Sequence, residues 1–301
     1  MSEYTKILFI INKFSGGCYR PELEGRIIDE CIRLKKECSI EFTQSRGHAI
    51  ELAKNAVDEN KFDVVFAVGG DGTVNEVAQG LVGSQITMGI LPKGSGNGLA
   101  RHLGIPVQFK KSLSLLQSNK SFMMDTLSVN GMLSVNVSGI GFDGHIARLF
   151  GKNGKRGLLG YTQLVIKEFF SFKEFNTKIT LDGKEQQRQC FIIALANSSQ
   201  FGNNARIAPH ASVCDEWIDL SFIKKVPLTQ AVGFGQKMFT GNLNKSAFVE
   251  IVKAKTIELQ LSQPVAYHID GEPFEPTDRF IVEIKPATLK MLLPPAAMAA
   301  Y

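Results

Sequence analysis

The run Val68-Gly-Gly-Asp-Gly-Thr-Val-Asn-Glu-Val77 constrains the fold of this chain more than any other feature. A β-rich apolar segment from Asp63 to Val68 leads into it, and apolar residues recur at helical spacing from Gly72 to Gly83. A strand that runs through a glycine turn into a helix is half of a βαβ unit, and such units build parallel sheets. We therefore expect residues 1–127 to form an α/β domain with a parallel sheet.

The glycine turn has the composition of an anion-binding loop. Glycines at positions 69, 70 and 72 let main-chain N–H groups converge on an anion, by close approach and by positive φ angles. Asp71 would repel a phosphate in this turn unless a cation such as Mg²⁺ lay between them. A second turn, Pro92–Gly98, follows the next strand, and open α/β sheets bind ligands at such strand ends. On these residues alone, an ordinary turn that caps a helix stays open.

The pattern changes at about Leu127, where short segments begin to alternate apolar and polar residues. Alternation with a period of two predicts strands with one buried face. One stretch, Tyr161–Phe170, has helical spacing instead. We expect residues 128–286 to form an antiparallel β-sandwich domain with this single helical interlude.

Composition narrows the class of protein further. A length of 301 residues favours two domains over one, and a net charge of +5 is too small to predict nucleic-acid binding. The five cysteines include no CxxC pair, so we expect reduced thiols without a zinc site. No signal peptide and no apolar run of about 20 residues is found. We expect a cytoplasmic protein whose membrane contact is peripheral, at the inner face.

The motifs together resemble the diacylglycerol kinase catalytic-domain superfamily, which includes bacterial lipid kinases and sphingosine kinases. Besides the run at Val68–Val77, similar segments follow in the family's order at Asn12–Gly16, Thr43–Ala49, Pro92–Arg101, Gly202–Asp219 and Asp270–Glu272. The resemblance covers nearly the whole chain. It implies an ATP-dependent, Mg²⁺-requiring kinase that phosphorylates a lipid hydroxyl in a cleft between the two domains, with the last strand (within 287–301) returning to the first domain.

The resemblance also implies roles for individual side chains. Asp270 matches the family's catalytic aspartate and would act as general base, with Glu272 beside it. Asp71 would serve catalysis through a Mg²⁺–water network shared with Asp125. Without the family, Asp270-Gly271 is simply a common hairpin turn.

Two sets of binding residues follow from the same resemblance. The nucleotide would lie on Asn12, Thr43, Gly69, Gly70, Gly72, Thr73, Glu76, Gly94, Ser95 and Asn97. A second, structural Mg²⁺ would be held by Asp215, the main chain of Trp217, and Asp219.

One departure from the family leaves the acceptor open. Bacterial members usually carry an aspartate where this chain has Gly98, and the loop Gly94–Arg101 is more similar to that of sphingosine kinases. Diacylglycerol, a sphingoid base and another long-chain alcohol are all candidate acceptors. A soluble kinase of the NAD kinase type, which shares Gly-Gly-Asp-Gly-Thr, and a non-catalytic lipid-binding homologue are the alternative functions. A homodimer also stays open.

Two further segments suggest functions of their own. Gly139–Gly144 satisfies the dinucleotide pattern GxGxxG, but no strand that ends in an acidic residue follows, so we expect a turn that lines the cleft. The basic and aromatic segment Lys152–Phe172 fits either an anionic membrane surface or a solvated helix with its aromatic rings in the core.

Overall fold

A computed structural model describes residues 4–17, 21–152 and 158–294 of the chain. The chain divides into two compact units. The first unit comprises Met1–Thr126 together with Pro286–Tyr301, and the second comprises Leu127–Lys285. These limits lie one residue away from those predicted from the sequence.

Strands and helices alternate through the first unit. In chain order its elements are β1 (Lys6–Ile11), α1 (Glu22–Arg33), β2 (Glu37–Phe42), α2 (His48–Glu59), β3 (Val64–Gly69), α3 (Asp71–Leu81), β4 (Thr87–Pro92), α4 (Gly98–His102), α5 (Phe109–Ser112), a 3₁₀ turn (Leu113–Gln117) and β5 (Ser121–Val129), which continues into the second unit. The predicted α/β domain is confirmed.

The sheet of the first unit is parallel, with strand order β2-β1-β3-β4. β1, β3 and β4 are buried almost throughout, as expected for strands covered by helices on both faces. β2 pairs with one edge of β1, and the next strand in the chain, β3, pairs with the opposite edge of β1. The order of the strands therefore reverses between β1 and β3, which is where sheets of this type bind ligands.

The core of this sheet is built around two stacked rings. Phe9 of β1 and Phe66 of β3 are fully buried, with ring centroids 5.1 Å apart and planes 16° from parallel. On β4, Gly89 lies against the Phe66 ring, and a Cβ atom at this position would be 2.4 Å from Cε1 of that ring. The Phe66 ring therefore fits against β4 because Gly89 has no side chain.

The last strand of the chain completes the first unit. β14 (Glu272–Leu292) begins in the second unit, and its final residues pair in parallel with β4, Met291 opposite Met88. Thr126 and Thr288 share a hydrogen bond between their hydroxyl groups at 2.8 Å. The strand that was expected to return to the first domain is present.

The second unit is dominated by antiparallel strands. Its further elements are β6 (Met132–Ser134), β7 (Val137–Gly141), α6 (Phe142–Lys152), α7 (Leu158–Ser171), β8 (Phe175–Leu181), β9 (Lys184–Cys190), β10 (Ile192–Ala196), β11 (Ile218–Ile223), α8 (Leu228–Phe239), a 3₁₀ turn (Leu243–Lys245), β12 (Val249–Ala254) and β13 (Thr256–Ile269). The predicted β-sandwich is confirmed.

The long strand β13 belongs to both parts of the sandwich. Its first half pairs with β8 and its end pairs with β7, with an irregular register between Gln260 and Val265. Apolar side chains from β10 and β11 meet those from β8, β13 and β14 in one core cluster. The change of partner along β13 lets one strand contribute to both sides of the core.

The second unit contains more helix than the sequence analysis predicted. α7 corresponds to the expected interlude, but α6 follows directly after Gly141, and α8 lies in a stretch assigned no structure. Phe142 and Ile146 of α6 form a buried cluster with Phe191, and Phe234 and Met238 of α8 pack against another. Within the described residues, no helix combines the length and apolar character needed to cross a bilayer.

We predict that Gly89→Ala destabilises the first unit by about 1–3 kcal/mol, because the new methyl group overlaps the Phe66 ring. Urea unfolding followed by circular dichroism measures the change. Gly25→Ala is the matched control, since a Cβ atom there meets nothing within 4 Å on an exposed helix position. Helix propensity should make that control neutral or up to about 1 kcal/mol stabilising, and equal losses in both variants would contradict the explanation.

Candidate functional site

Three loops meet at the carboxyl ends of β1, β3 and β4. The first loop begins at Asn12, the second contains Gly70, and the third runs from Lys93 to Asn97. Lys93 and Gly94 both donate their backbone N–H groups to the carbonyl of Gly69, at 2.7 and 3.2 Å. The two glycine turns predicted from the sequence are therefore brought together at the point where strand order reverses.

Close approach of main chains explains the glycines in these loops. A Cβ atom on Gly94 would lie 2.6 Å from the Cα atom of Gly70, and one on Gly70 would lie 3.2 Å from the Cα atom of Gly94. Gly16 has φ +70°, and a Cβ atom added at this position would overlap the carbonyl of Lys93. The expected positive φ angles at Gly69, Gly70 and Gly72 were wrong, and Gly70 has φ −96°. These glycines let the loops pack against each other.

Asp71 connects the second loop to the third. Its Oδ2 atom accepts the backbone N–H of Asn97 at 2.9 Å, and its Oδ1 atom accepts that of Gly98 at 2.7 Å. Gly98 is the position at which bacterial relatives usually carry an aspartate. In the structure the backbone of Gly98 instead helps to orient Asp71.

Asn97 closes the third loop on itself. It adopts a left-handed conformation, and its side-chain amide exchanges two hydrogen bonds with the main chain of Gly94, at 2.9 and 2.7 Å. Ser95 lies exposed at the tip of this loop. Lys93, which the sequence analysis did not assign, donates its ammonium to the carbonyl of Ser15 in the first loop. Burial lowers the pKa of this lysine.

The amino terminus of α3 is open for an anion. Among the described residues no side chain caps this helix, and the first intrahelical bond runs from Val74 N–H to the Gly70 carbonyl. The N–H groups of Asp71, Gly72 and Thr73 therefore have no partner within the helix. Asn12 donates its side-chain amide to the Thr73 hydroxyl at 3.0 Å, which links the first loop to this end. The arrangement suits a phosphate group.

Two residues of the predicted nucleotide set lie beside the start of α2. Glu76 accepts the backbone N–H groups of Gly47 and Ala49 on its two carboxylate oxygens, at 2.9 and 3.3 Å. Thr43 is buried, and its N–H bonds to the carbonyl of Ile11. Glu76 thus positions the loop before α2. Thr43 follows the end of β2, next to the end of β1. Contact of Glu76 or Thr43 with a nucleotide stays a prediction.

The residues around Asp71 suit a magnesium ion carried by a polyphosphate. Each Asp71 oxygen accepts one backbone N–H, and a carboxylate oxygen can accept more than one bond. Asp125 is buried in β5, where its Oδ1 atom accepts the N–H of Ala287 at 2.8 Å. Mg²⁺ commonly binds one or two carboxylates and keeps several waters. Asp71 has the ligand chemistry for such an ion, and a metal role for Asp71 or Asp125 stays a prediction.

In the second unit, Asp270 is anchored as firmly as Asp71 is in the first. It is 4% exposed and has φ +48°, and with Gly271 it forms the tight turn between β13 and β14. Its carboxylate accepts the hydroxyl of Ser134 at 2.7 Å and the backbone N–H groups of Val135 and Asn136 at 2.8 and 3.1 Å. The hairpin interpretation was correct, and the same residue also holds the chain between β6 and β7.

Hydroxyl groups extend the network around this aspartate. Ser138 donates its hydroxyl to Ser134, which in turn donates to Asp270, and both serines are fully buried. Glu272 follows the turn, half-buried, in register with Ile269. These contacts fix the direction of the Asp270 carboxylate, and the general-base role stays a prediction.

The cluster expected to hold a second magnesium ion contains a lysine instead. The register places Lys253 of β12 opposite Asp219 of β11. Its Nζ atom lies 2.6 Å from Asp215 Oδ2 and 3.6 Å from Asp219 Oδ2. The other Asp215 oxygen accepts the N–H of Trp217 at 3.2 Å. The ammonium takes the place between the carboxylates, so these residues do not fit a divalent ion.

Burial dominates the electrostatics of this cluster. Asp219 is 2% exposed, and burial raises its pKa to about 6, while the charge of Lys253 acts in the opposite direction. Its Oδ2 atom has no hydrogen-bond partner among the described residues. The sequence analysis missed Lys253 because only the pairing of β11 with β12 brings it to the two aspartates.

The dinucleotide-like run Gly139–Gly144 serves packing. A Cβ atom on Gly144 would lie 2.4 Å from the main chain of Tyr267, and one on Gly141 would lie 2.5 Å from the Phe191 carbonyl. Asp143, at the start of α6, lies 3.5 Å from Nε2 of His268, whose Nδ1 accepts the N–H of Gly271 at 3.1 Å. His268 thus supports the turn that carries Asp270, a contact that the sequence analysis did not anticipate.

The chain matches two family models that together cover most of its length. Residues 6–129 match the model described as "Diacylglycerol kinase catalytic domain". Residues 136–293 match the model described as "YegS C-terminal NAD kinase beta sandwich-like domain". The two matches correspond closely to the two units of the structure.

Individual proteins give the same assignment. A protein of Bacillus subtilis (strain 168) named "Diacylglycerol kinase" is 28% identical over 268 residues, 87% of this chain and 88% of that protein. One of Klebsiella pneumoniae (strain 342) named "Probable lipid kinase YegS-like" is 28% identical and covers 98% of both chains. The crystal structure of a diacylglycerol kinase from Bacillus anthracis str. Sterne superimposes with a TM-score of 0.75 at 21% identity, over 98% of this chain and 99% of the other.

We predict that Gly94→Ala weakens binding of ATP by roughly 10- to 100-fold, because its methyl group pushes the second and third loops apart at Gly70. Isothermal titration calorimetry measures the affinity. Gly25→Ala again serves as the control, and a Gly94→Ala protein that binds ATP normally would contradict the proposed loop contact.

We predict that Lys253→Met lowers the free energy of unfolding by about 1–3 kcal/mol, because Asp219 is then buried without its counter-ion. Lys255→Met is the matched control, since Lys255 pairs with Glu216 at an exposed position and should lose less than about 1 kcal/mol. In the wild-type protein, EDTA should leave the urea midpoint unchanged. A midpoint that falls on addition of EDTA would restore the second metal site.

Proposed function

Because the chain belongs to the family that joins a diacylglycerol kinase catalytic domain to a YegS C-terminal NAD kinase beta sandwich-like domain, we propose that it transfers the γ-phosphate of ATP to the hydroxyl group of a membrane lipid. Family membership makes the chain a kinase-type phosphotransferase. The nucleotide, the metal and the acceptor belong to the proposal. The protein would work at a membrane surface through peripheral contact.

The observation that carries the proposal is the open amino terminus of α3 beside Asp71. Here helix N–H groups without intrahelical partners lie next to a carboxylate whose direction is fixed by Asn97 and Gly98. N–H groups favour phosphate oxygens, and the carboxylate favours a cation. A site that attracts both kinds of ion suits a metal-bound polyphosphate better than it suits either ion alone.

In this proposal each loop has one task. The amino end of α3 receives the terminal phosphates, with Thr73 held by Asn12. The third loop, closed by Asn97, flanks them. When bound at Asp71, with Asp125 in support, Mg²⁺ would neutralise charge on the phosphates. Phosphoryl transfer requires little more from a protein than alignment and charge neutralisation.

Asp270 is assigned the remaining task, which is to accept a proton. The acceptor hydroxyl oxygen forms a bond to the γ-phosphorus, the bond from that phosphorus to the bridging oxygen of ADP breaks, and the hydroxyl proton passes to the Asp270 carboxylate. Hydrogen bonds from Ser134, Val135 and Asn136 keep this carboxylate in one orientation. A fixed base is more effective than a mobile one, because its geometry is already correct.

Fewer observations bear on which lipid is the acceptor. The names of similar proteins favour diacylglycerol as the acceptor. The loop that contains Gly98, in contrast, resembles the corresponding loop of sphingosine kinases. We propose diacylglycerol as the first acceptor to test, followed by sphingoid bases and long-chain alcohols.

Two other functions were considered. The second family model describes an NAD kinase beta sandwich-like domain, so an NAD kinase activity has some support. The first unit, however, matches the diacylglycerol kinase model, and relatives that cover the whole chain are named lipid kinases. A non-catalytic lipid-binding homologue would have no need of the ordered contacts around Asp71.

We predict that the purified protein, given Mg²⁺ and ATP labelled in the γ-phosphate, phosphorylates at least one lipid of a panel of diacylglycerol, sphingosine and a long-chain primary alcohol. Asp270→Asn should lower the rate by about 10²- to 10⁴-fold, since it removes the proton acceptor. Product formation is measured by lipid extraction and mass spectrometry.

The control is Ser134→Ala, which removes one hydrogen bond to Asp270 and keeps the carboxylate. It should retain much of the activity, and thermal unfolding shows whether either variant loses its fold. Absence of product with every lipid would refute the lipid kinase proposal. ATP-dependent formation of NADP from NAD would support the alternative.

A further inference from the structure

We propose that helix α8 is a docking element for an anionic lipid bilayer. The inference deepens the proposed function, on which it rests, by naming the surface through which the protein reaches its lipid. It comes from the exposed face of α8, from the charges around that helix, and from an adjoining apolar pair on α7.

The outer face of α8 carries an apolar stripe. Leu228, Val232 and Phe239 are 57%, 85% and 55% exposed. With Gly235, they stand at spacings i, i+4, i+7 and i+11, which places them in one row along the helix. A row of large apolar side chains facing water is unfavourable for an isolated soluble protein. We call this row the α8 stripe.

The α8 stripe is distinct from the side of the helix that packs against the core. Phe234 and Met238 already attach α8 to a buried cluster in the second unit. None of the residues of α8 is itself buried, although half of them are hydrophobic. The helix therefore has two apolar sides, of which one packs against a core cluster and the other is exposed with respect to the described residues.

Two glycines lie in the middle of α8 without a packing reason. A Cβ atom on Gly233 or Gly235 would meet nothing within 4 Å. Each glycine in a helix interior costs roughly 1 kcal/mol relative to alanine. Small residues on a free face allow another surface to approach the helix backbone closely. This suits contact with lipid headgroups better than it suits exposure to water.

Along the chain, the segment that contains α8 carries charge of one sign, although Glu174 of a neighbouring segment accepts the backbone N–H of Lys225 at 2.7 Å. Between Leu220 and Val249 the sequence has four lysines, Lys224, Lys225, Lys237 and Lys245, and no aspartate or glutamate. Lys237 donates to the Lys245 carbonyl at 2.9 Å, which holds the ammonium at the C-terminal end of the helix. Lysine residues next to an anionic bilayer contribute about 1 kcal/mol each to binding. The surroundings of the α8 stripe thus complement acidic lipid.

A second apolar pair adjoins this region. On α7, Ile166 and Phe170 are one helical turn apart and are 58% and 62% exposed. Lys225, which precedes α8, donates its ammonium to the carbonyl of Phe172 at 2.6 Å, just beyond the end of α7. Lys225 therefore joins the C-terminal end of α7 to the start of α8. Both helices present exposed apolar residues beside lysines.

The charges favour a bilayer over a second copy of the chain. In a twofold dimer built on the α8 stripe, each lysine group would face the same group on its partner, because such an interface pairs identical surfaces. No acidic residue between Leu220 and Val249 could compensate for that repulsion. A bilayer that contains acidic lipids offers the opposite charge together with an apolar interior.

The test compares two variants that add the same charge to the same helix. Val232→Glu places a carboxylate in the α8 stripe, whereas Gln230→Glu places one at an exposed position two residues away, on the other side of the helix. Binding is measured by co-sedimentation with phosphatidylglycerol–phosphatidylcholine vesicles and with pure phosphatidylcholine vesicles. Wild type should bind the acidic vesicles and release them in high salt. Val232→Glu should bind about tenfold more weakly, and Gln230→Glu less than about threefold more weakly.

Three results would overturn the inference. These are equal binding of the two variants, equal binding of wild type to acidic and neutral vesicles, and a wild-type dimer in sedimentation velocity that Val232→Glu dissociates. Both substituted residues are exposed, so thermal unfolding should show that both variants keep the fold.

The binding assay contains neither ATP nor an acceptor, so its outcome is separable from that of the proposed function. Vesicle binding without kinase activity would refute the kinase proposal alone. Activity without vesicle binding would refute the docking surface alone. If both hold, Val232→Glu should lower the rate on acceptor in acidic vesicles and leave the rate on a short-chain, water-dispersed acceptor unchanged.

Discussion

The Asp71 carboxylate holds the candidate phosphate site together. One side chain at the start of α3 accepts backbone N–H groups from two successive residues of the third loop, Asn97 and Gly98. The close contact of Gly70 with Gly94 depends on this alignment, because both loops must stay within van der Waals distance along their main chains. Lys93 then connects the third loop to the first. The positions proposed for the phosphate and the metal depend on this set of contacts.

Much of the fold could be predicted from sequence because its signals are local. The βα units of the first unit show their periods within a few residues, and the strand before Gly69 is continuous with the glycine turn. α8 could not be found in this way, because its threonine and two glycines weaken helix propensity. The helix forms where Phe234 and Met238 reach the core, which is a tertiary effect. α6 was missed because the run that opens it was interpreted as a turn.

The sequence named residues for the candidate site, but it did not give the contacts between them. The motif identified Asp71, Asn97 and the glycines, but only the structure shows that the glycines serve the approach of one loop to another. Lys253 lies on β12, whereas Asp219 lies on β11 and Asp215 precedes it, and strand register is not readable from one sequence. The same is true of His268 and Asp143, which approach each other across β13 and α6. Contacts between distant segments are therefore the part that sequence could not supply.

The route of the chain between the two units has a consequence for how the protein is made. β5 leaves the first unit, and only β14 returns to it, where Met291 pairs with Met88 and Thr288 with Thr126. Leu127–Lys285 is thus inserted within the first unit. During synthesis the ribosome must deliver the whole insert before the edge strand beside β4 exists. We infer that the inserted unit can fold before the last strand of the first unit has been synthesised. Until then β4 has an unpaired edge, which could pair with another chain.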